Sequence, residues 1–241
     1  MFLKSLLLTS ALIVGSASAA VVNGSFESGL TGWQSLGAST ANPPNLYLST
    51  ATATDGVTSA RLQVYDFFPI AASTSQISTF VGDTSGTGQY VGNAGSAIKQ
   101  TINLNAGDVI SFDWRFGKEL PKPSQATLPF FVLNGVQSLL LDPSDPMQYM
   151  RDPNAPQFFF SLPNSGLAII TSWQTVNIPI TFAGAFTLAF GETGTASSNL
   201  SDQLFIDNVR LSANVPEPGG IALLGLGALG LIASRRRKFM R

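Results

Sequence analysis

A two-residue alternation of apolar and polar side chains is the feature that most limits how this chain can fold. The alternation is clearest at Val109–Phe116, where every second residue is apolar. Successive side chains of a β-strand point to opposite faces, whereas a helix needs a period of 3.6 residues. The pattern therefore predicts a strand with one buried face. The residues predicted to face the core are Ile110, Phe112, Trp114 and Phe116. On the opposite face, we expect Asp113 to lie in solvent beside Arg115.

The same alternation recurs between residues 20 and 214, where we find no helical period of useful length. Strands are predicted at Arg61–Phe68, Ile98–Leu104, Val109–Phe116, Leu128–Leu133, Val136–Leu141, Gln157–Leu162, Thr175–Phe182, Phe186–Phe190 and Gln203–Leu211. This many short strands with turn signals between them predicts an all-β fold, an antiparallel β-sandwich of the jelly-roll type. Pro129 and Pro179 lack an N–H group, so we expect them at sheet edges or bulges. Segments 34–60 and 71–97, rich in small residues, are predicted to be loops or poorly packed strands.

The composition removes several kinds of chemistry. The chain has no Cys and no His. This excludes Ser-His-Asp and Cys-His catalysis, zinc bound by His or Cys, iron–sulfur clusters and disulfides. The net charge is −1 over 241 residues, whereas a nucleic-acid binder needs a basic face to neutralise phosphates. We therefore expect no nucleic-acid partner.

The first 19 residues have the three parts of a secretory signal peptide. Lys4 provides the positive charge, Leu6–Val14 the apolar segment, and Ala17-Ser18-Ala19 the small residues of a cleavage site. We predict cleavage by signal peptidase after Ala19, with Ala20 as the alternative. A buried N-terminal helix is the other interpretation of the same residues.

The last 27 residues have a second three-part pattern. Residues 215–218 read Val-Pro-Glu-Pro, residues 219–234 carry no charge, and residues 235–241 form a basic tail. At ~1.5 Å per residue the uncharged helix would span roughly 24 Å, somewhat less than the ~30 Å core of a bilayer. We predict a weakly inserting transmembrane helix with its basic tail in the cytoplasm.

This C-terminal pattern resembles the PEP-CTERM sorting signal of Gram-negative bacteria. The matching residues are Pro216, Glu217, Pro218, Arg235, Arg236 and Arg237. The resemblance implies a transient anchor in the inner membrane and cleavage by an exosortase. It also implies export to the cell surface or extracellular matrix, often together with exopolysaccharide production and biofilm. The alternative is a tail anchor without processing.

A glycine motif within the uncharged segment has the spacing of a dinucleotide-binding loop. Gly225–Gly230 matches G-x-G-x-x-G. That function requires a preceding strand and a following βαβ unit, and only the basic tail follows here. We therefore interpret these glycines as part of the membrane helix.

The central domain, residues 20–214, resembles the galactose-binding-like jelly roll of many carbohydrate-binding modules. The resemblance rests on an opening motif at Val22–Trp33 and a closing motif at Leu204–Leu211. It implies a fold more than a ligand, because this fold serves sugar binding, attachment and structure alike.

Asp207 suggests a metal site in this domain. It has the strand parity of Phe205, so regular pleating would turn its carboxylate toward the core, where an unpaired charge is costly. In the modules that the chain resembles, the matching positions Glu27 and Asp207 commonly hold a structural Ca²⁺ ion, which needs 6–8 oxygen ligands. The alternative is a bulge at Asp207-Asn208 that turns the carboxylate toward backbone amides. Asp142 and Asp145 could also contribute to a second calcium loop, although their spacing fits no EF-hand.

Sugar binding would need aromatic side chains with a polar group, which makes the tyrosines the first candidates. The candidates for glycan contact are Tyr47, Tyr65, Tyr90 and Tyr149. Trp173 is also a candidate by type, whereas we expect Trp33 and Trp114 to be in the core.

No catalytic residue is assigned. Carboxylate pairs such as Asp113/Glu119 and Asp142/Asp145 exist, but any chain with this many acids offers such pairs. The two terminal signals contain Glu217, Lys4 and the five basic residues after position 234. Without them, the net charge of the central domain is about −6, whereas that of the whole chain is −1. That charge disfavours direct attraction to anionic polysaccharide. The sequence therefore predicts a non-catalytic exported protein, with glycan binding as the first function. A polysaccharide hydrolase and a matrix protein without a ligand are the alternatives.

Overall fold

The computed structural model describes residues 20–42, 53–64, 72–119, 127–142, 168–195 and 202–213. In chain order, the elements are β1 (Gln34–Leu36), β2 (Ala38–Asn42), β3 (Ser59–Gln63), α1 (Thr74–Val81), β4 (Ala94–Leu104), β5 (Val109–Glu119), β6 (Thr127–Leu133), β7 (Val136–Leu139), β8 (Ala168–Ile170), β9 (Gln174–Pro179), β10 (Gly184–Gly194) and β11 (Gln203–Ser212). The predicted signal peptide, the predicted strand Gln157–Leu162 and the C-terminal sorting segment lie outside the described residues.

The strands form two antiparallel sheets. The first sheet has the order β1-β4-β10-β6-β7, and the second has the order β2-β3-β11-β5-β8. Strand β9 pairs with residues 109–114 of β5, beside the shorter pairing of β8 with residues 117–119. The predicted all-β antiparallel sandwich is therefore confirmed.

The core between the sheets is built from the apolar side of the predicted alternation. From the second sheet come Ala60, Leu62, Ile110, Phe112, Trp114, Phe116, Leu204 and Ile206. They meet Ile98, Ile102, Phe186, Leu188 and Phe190 of the first sheet. Trp33 lies in this core with its ring centroid 5.4 Å from that of Phe26, as expected for it and for Trp114.

A helix covers the outer face of the first sheet, which corrects the prediction that segment 71–97 is loop or poorly packed strand. Ile77 and Val81 of α1 are fully buried against Ala97, Phe130 and Ala189. Ser73 begins the helix with a capping box: its hydroxyl accepts from the N–H of Gln76, whose amide oxygen accepts from the N–H of Ser73. The Ser-x-x-Gln spacing was a sequence signal for this start. The helix was missed because eight residues are too few for a clear period.

Several strand boundaries also differ from the prediction. Strands β1 and β2 lie in segment 34–60, which was predicted to be loops or poorly packed strands, and β8 was not predicted. Strand β4 begins at Ala94 rather than Ile98, and β10 extends from Gly184 to Gly194. Small residues at these positions pack closely without showing an apolar alternation. Pro179 ends β9, as expected of an edge position. Pro129 lies inside β6 instead. Its carbonyl accepts a hydrogen bond from the N–H of Leu140, which lies just past the end of β7, so the edge of Pro129 that lacks an N–H faces the end of β7.

The polar face of β5 is buried, which corrects the expectation that Asp113 lies in solvent. Asp113 is 6% exposed and Arg115 is 4% exposed. The alternation correctly predicts which side of a strand faces the core, but it does not predict whether the opposite side is covered.

Two strand glycines allow the packing of the sheets to be tested. A Cβ atom on Gly191 would lie 2.4 Å from the buried ring of Phe130, whereas on Gly117 its nearest neighbours would be 3.9 Å away. We expect Gly191→Ala to cost about 1–3 kcal/mol of unfolding free energy because the core is overpacked. Gly117→Ala should be neutral or slightly stabilising, since Ala loses less backbone entropy in a strand. Thermal denaturation of both variants measures this, and equal melting temperatures would contradict the described packing of Phe130.

Candidate functional site

Two carboxylates from opposite ends of the domain hold one loop, residues 54–58. The Oδ2 atom of Asp207 accepts hydrogen bonds from the N–H groups of Thr54, at 2.6 Å, and Asp55, at 2.9 Å, and from the Thr54 hydroxyl at 3.1 Å. The Oε1 atom of Glu27 accepts from the N–H groups of Val57, at 2.8 Å, and Thr58, at 2.7 Å. The loop enters β3, so these contacts tie the start of the second sheet to β11.

Glycine is required where the loop passes Glu27. Gly56 has a φ of +82°, and a Cβ atom there would lie 2.5 Å from Oε1 of Glu27. A side chain at this position would therefore separate the carboxylate from the loop.

A bulge in β11 sets the position of Asp207. The pairing of β11 with β5 shifts register between Asp207 and Arg210, and Asn208 has a φ of +51°. Leu204, Ile206 and Val209 face the core, so Asp207 lies on the outer side of the sheet. The expectation that it points into the core is therefore corrected: an extra residue at the bulge, and not regular pleating, brings Val209 inward.

Asp207 is nevertheless fully buried, with 0% exposure. Burial raises the pKa of Asp207, and hydrogen bonds from the N–H groups of Asp55, Asn208 and Thr54 oppose that rise. The N–H of Asn208 donates to Oδ1 at 2.7 Å. These contacts are those of the predicted alternative, a bulge that turns the carboxylate toward backbone amides.

Within the described residues, the carboxylates of Glu27 and Asp207 are the ligands offered to a cation at this loop. No group of three or more His, Cys, Asp or Glu residues suited to a metal ion occurs within the described ranges. Backbone carbonyls and water would have to supply the remaining oxygens of a calcium site. Calcium at Glu27 and Asp207 therefore stays a prediction.

The outer face of the second sheet carries a row of side chains across four strands. Register places Thr40 of β2, Arg61 of β3, Phe205 of β11 and Arg115 of β5 side by side. They alternate with the core residues of the same strands, so they point away from the first sheet. Gln203 lies one step further along the same face of β11, opposite Gly117.

The Arg115 guanidinium is stacked between two aromatic rings. Its Cζ atom lies 4.4 Å from the ring centroid of Trp173, in the segment between β8 and β9, and 5.0 Å from that of Phe205. Burial lowers the pKa of Arg115 to about 10, and the negative charge of Asp207 partly offsets this. Arg115 is therefore still a cation at neutral pH.

Polar atoms without a hydrogen-bond partner are concentrated on this face. They are Nε and Nη2 of Arg115, Nε of Arg61, Oγ1 of Thr40 and Oε1 of Gln203. Burial also lowers the pKa of Arg61. Buried polar atoms without partners are costly, so the presence of five in one region of one sheet is unusual.

The residues around this face are partly exposed, whereas Arg115 and the unpartnered atoms themselves are closed to solvent. Thr40, Arg61, Trp173 and Gln203 are each partly exposed around the buried guanidinium of Arg115.

The two acids of this face are already hydrogen bonded. Oδ1 of Asp113 accepts from the Thr175 hydroxyl at 2.6 Å, and its Oδ2 accepts from the Asn208 amide at 2.8 Å. Asp207 accepts four hydrogen bonds, as described above. Both acids therefore already accept hydrogen bonds from groups of the protein.

The residues predicted from sequence are only partly placed. Tyr47, Tyr65, Tyr149, Asp145 and the six residues of the sorting motif lie outside the described residues. Tyr90 packs edge-on against Phe130 under the first sheet, and its hydroxyl donates to Asp83. The structure therefore does not bring Tyr90 to the second sheet, and its glycan contact stays a prediction.

The arginines and Gln203 were missed by sequence reasoning. The available signal was the polar side of the alternation: charged residues at every second position of β5, next to a strand in which Phe205 shares the polar parity. Pairing of β5 with β11 is what brings these positions together.

A protein-family model for the PEP-CTERM protein-sorting motif matches residues 214–238. The chain therefore carries a PEP-CTERM motif, which implies export, exosortase processing and a sorting step at the membrane. Among the residues that the structure describes, no helix is long and apolar enough to cross a membrane. No curated protein matches the chain significantly.

Solved structures similar to this chain include carbohydrate-binding modules and an adhesin domain. The structure of TmCBM61 in complex with β-1,4-galactotriose is 14% identical, with a TM-score of 0.43, covering 80% of this chain and 97% of that one. The Family 16 Carbohydrate Binding Module-2 is 14% identical, with a TM-score of 0.39 and coverage of 80% and 99%. The K3 adhesin domain of Lys-gingipain from Porphyromonas gingivalis W83 is 11% identical, with a TM-score of 0.42 and coverage of 81% and 100%. These TM-scores are below 0.5, so the ligands of those proteins do not define the ligand of this one.

Proposed function

We propose that this is an exported, non-catalytic protein of the cell surface or extracellular matrix that binds glycan on the outer face of its second sheet. The observation that carries this proposal is the stacked Arg115 guanidinium, 4% exposed, with two nitrogen atoms that have no partner. A binding surface leaves such atoms for its ligand, whereas a purely structural face would pair them.

The chemistry of the row suits a carbohydrate. Sugars have apolar C–H faces that pack on aromatic rings and hydroxyl groups that exchange hydrogen bonds with amides and guanidinium groups. Trp173 and Phe205 provide rings, while Arg115, Arg61 and Gln203 provide polar atoms. The row crosses four strands, which at ~4.8 Å per strand gives roughly 14 Å, enough for two or three sugar units.

A hydrolase remains the second candidate function, and the described residues favour it less. Hydrolysis needs two carboxylates that can reach the bond to be cleaved. Asp113 and Asp207 face each other across β5 and β11, but both are buried and hydrogen bonded. Asp142 is exposed, its predicted partner Asp145 is not described, and neither lies in the row.

Substitutions on the second sheet should weaken glycan binding. We expect Trp173→Ala and Gln203→Ala each to weaken the binding of a glycan found by array screening by about tenfold, the value of one good contact. Phe182→Ala and Gln89→Ala are matched controls, because both side chains are exposed and outside this row. The measurement is a titration of the full-length protein purified in detergent. Equal loss in the control variants, or none in the row variants, would contradict this placement.

Sorting to the surface should depend on both ends of the C-terminal signal. We expect Glu217→Ala, or replacement of Arg235, Arg236 and Arg237 by Ala, to leave unprocessed protein in the inner membrane. The positive tail should hold the helix in its orientation, and the Pro-Glu-Pro motif should present the cleavage site. Immunoblots of membrane fractions measure this, with Arg210→Ala as a control outside the motif. Normal processing of both variants would disprove sorting by this signal.

We also propose a structural Ca²⁺ ion held by Glu27 and Asp207. Its support is the burial of Asp207 and the convergence of both carboxylates on residues 54–58. A bound ion would join β11 to the segment before β1 in a domain that has no disulfide.

The effect of a chelator on the melting temperature distinguishes a calcium site from a loop that is held by hydrogen bonds alone. At calcium 100-fold above its dissociation constant, binding adds ~2.7 kcal/mol to the unfolding free energy, so a chelator should lower the melting temperature by several degrees. Asp207→Ala and Glu27→Ala should abolish that response, and Asp142→Ala should retain it. If the melting temperature of the unsubstituted protein is the same with and without chelator, the loop is held by hydrogen bonds alone.

A further inference from the structure

We propose that the outer face of the second sheet recognises sugar carboxylates, so that its ligand is an acidic glycan of the uronic-acid type. This inference rests on the proposed function of that face and names the chemical class of its ligand.

The first argument is an inventory of donors and acceptors. Among the described residues of this face, three of the five unpartnered atoms are guanidinium nitrogens, which can only donate: Nε and Nη2 of Arg115 and Nε of Arg61. The other two, Oγ1 of Thr40 and Oε1 of Gln203, can accept, and the carboxylates of Asp113 and Asp207 on the same face already accept hydrogen bonds. A ligand that satisfies the three guanidinium nitrogens must bring acceptors, and a carboxylate brings the strongest that a sugar carries.

The second argument is the position of the arginines. Arg61 and Arg115 are both register partners of Phe205, one on each side of it. Residues 20–214 contain only seven Lys and Arg residues, because Lys4 and the five after position 234 lie in the terminal signals. Two of these seven lie in one row of one sheet, and the two acids of the same face, Asp113 and Asp207, already accept hydrogen bonds from other groups.

The overall charge of the domain does not prevent this recognition. A net charge of about −6 acts over long distances, and salt screens it beyond about 10 Å at 0.1 M. A contact made with a buried guanidinium is screened much less. Asp207 lowers the local positive charge, and it accepts hydrogen bonds from Thr54, Asp55 and Asn208 and not from the unpartnered nitrogens of Arg115.

The planar shape of the guanidinium adds to the argument. Arginine presents parallel N–H groups that match the two oxygens of a carboxylate, whereas a lysine ammonium acts as a point charge. The rings of Trp173 and Phe205 hold the plane of Arg115 in one orientation. The fork is thus ordered before a ligand arrives, which reduces the entropy lost on binding.

The test uses pairs of glycans that differ only in the carboxyl group. Oligogalacturonate, alginate oligosaccharide and hyaluronan oligosaccharide are each compared with their methyl-esterified forms, and a sulfated galactan and neutral β-glucan and galactan oligosaccharides complete the panel. Binding to the full-length protein is measured by titration at 50 mM and 500 mM NaCl. We expect at least one acid form to bind at least tenfold more tightly than its ester, and to bind more weakly at high salt.

Variants connect the result to the two arginines. Arg115→Gln should weaken the binding of the acid form by at least about tenfold, as expected for a hydrogen bond to a charged group. It should weaken the binding of the ester by a smaller factor, because the ester loses a hydrogen bond to a neutral acceptor and not to a charged one. Arg115→Lys should recover only part of the loss, and Arg61→Gln should show a smaller loss. Arg210→Gln, which removes an exposed arginine further along β11, is the charge-matched control. Melting curves establish that each variant is folded.

The outcomes distinguish this inference from the proposed function. Equal binding of acids and esters, binding of neutral glycans alone, or binding of the sulfated galactan alone would overturn the carboxylate assignment and leave glycan binding intact. A loss in Arg210→Gln equal to that in Arg115→Gln would also overturn it. If no glycan of the panel binds, acidic or neutral, both the inference and the proposed glycan binding are wrong.

Discussion

The buried carboxylate of Asp207 is the interaction on which the rest of the second sheet depends. Its hydrogen bonds to Thr54 and Asp55 hold the loop that leads into β3, and its charge lies close enough to Arg115 to affect the pKa of that group. The bulge that follows it returns Val209 to the core. One residue therefore sets the entry of β3, the register at the end of β11 and the electrostatic environment of the proposed binding face.

The two outer faces of the sandwich show two ways of covering a sheet. The first sheet has an apolar outer face, with Ala97, Phe130 and Ala189 buried by α1. The second sheet has polar residues in the equivalent place, and several are as buried as the core. Burying charged groups is costly unless they are paired. Asp113 and Asp207 are paired fully by neighbouring donors, whereas Arg115 is compensated only in part, by ring stacking and by the charge of Asp207. This difference separates the residues that maintain the fold from those that are available to a ligand.

The sequence predicted the sandwich because its core strands alternate strongly; Phe112, Trp114 and Phe116 are buried as the alternation requires. It could not predict α1, whose eight residues show little period, or β1 and β2, which are made of small and polar residues. Asp207 was identified by its strand parity and Glu27 by resemblance, and the structure brings both to residues 54–58. The predicted direction of the Asp207 side chain was wrong. The bulge that brings Val209 inward is a property of strand pairing, and it leaves little trace in the sequence of one strand. The row containing Arg61 and Arg115 depends on the order of three strands distant in sequence, which no local pattern contains.

The lack of cysteine gives the loop of residues 54–58 more importance than it would have in a disulfide-bonded domain. An exported protein commonly limits its unfolded state with covalent cross-links, and this chain has none. Its substitutes are the apolar core between the sheets and the contacts from Glu27 and Asp207, which join residues about 180 apart in sequence through one short loop. These hydrogen bonds oppose separation of the sheet edges only while they are formed. Once they break, no covalent bond keeps the edges close together. The face that carries Arg115 is attached to the same strand, β11. Its order therefore depends on the loop contacts, and the stability of the domain and the geometry of its proposed binding face are coupled through Asp207.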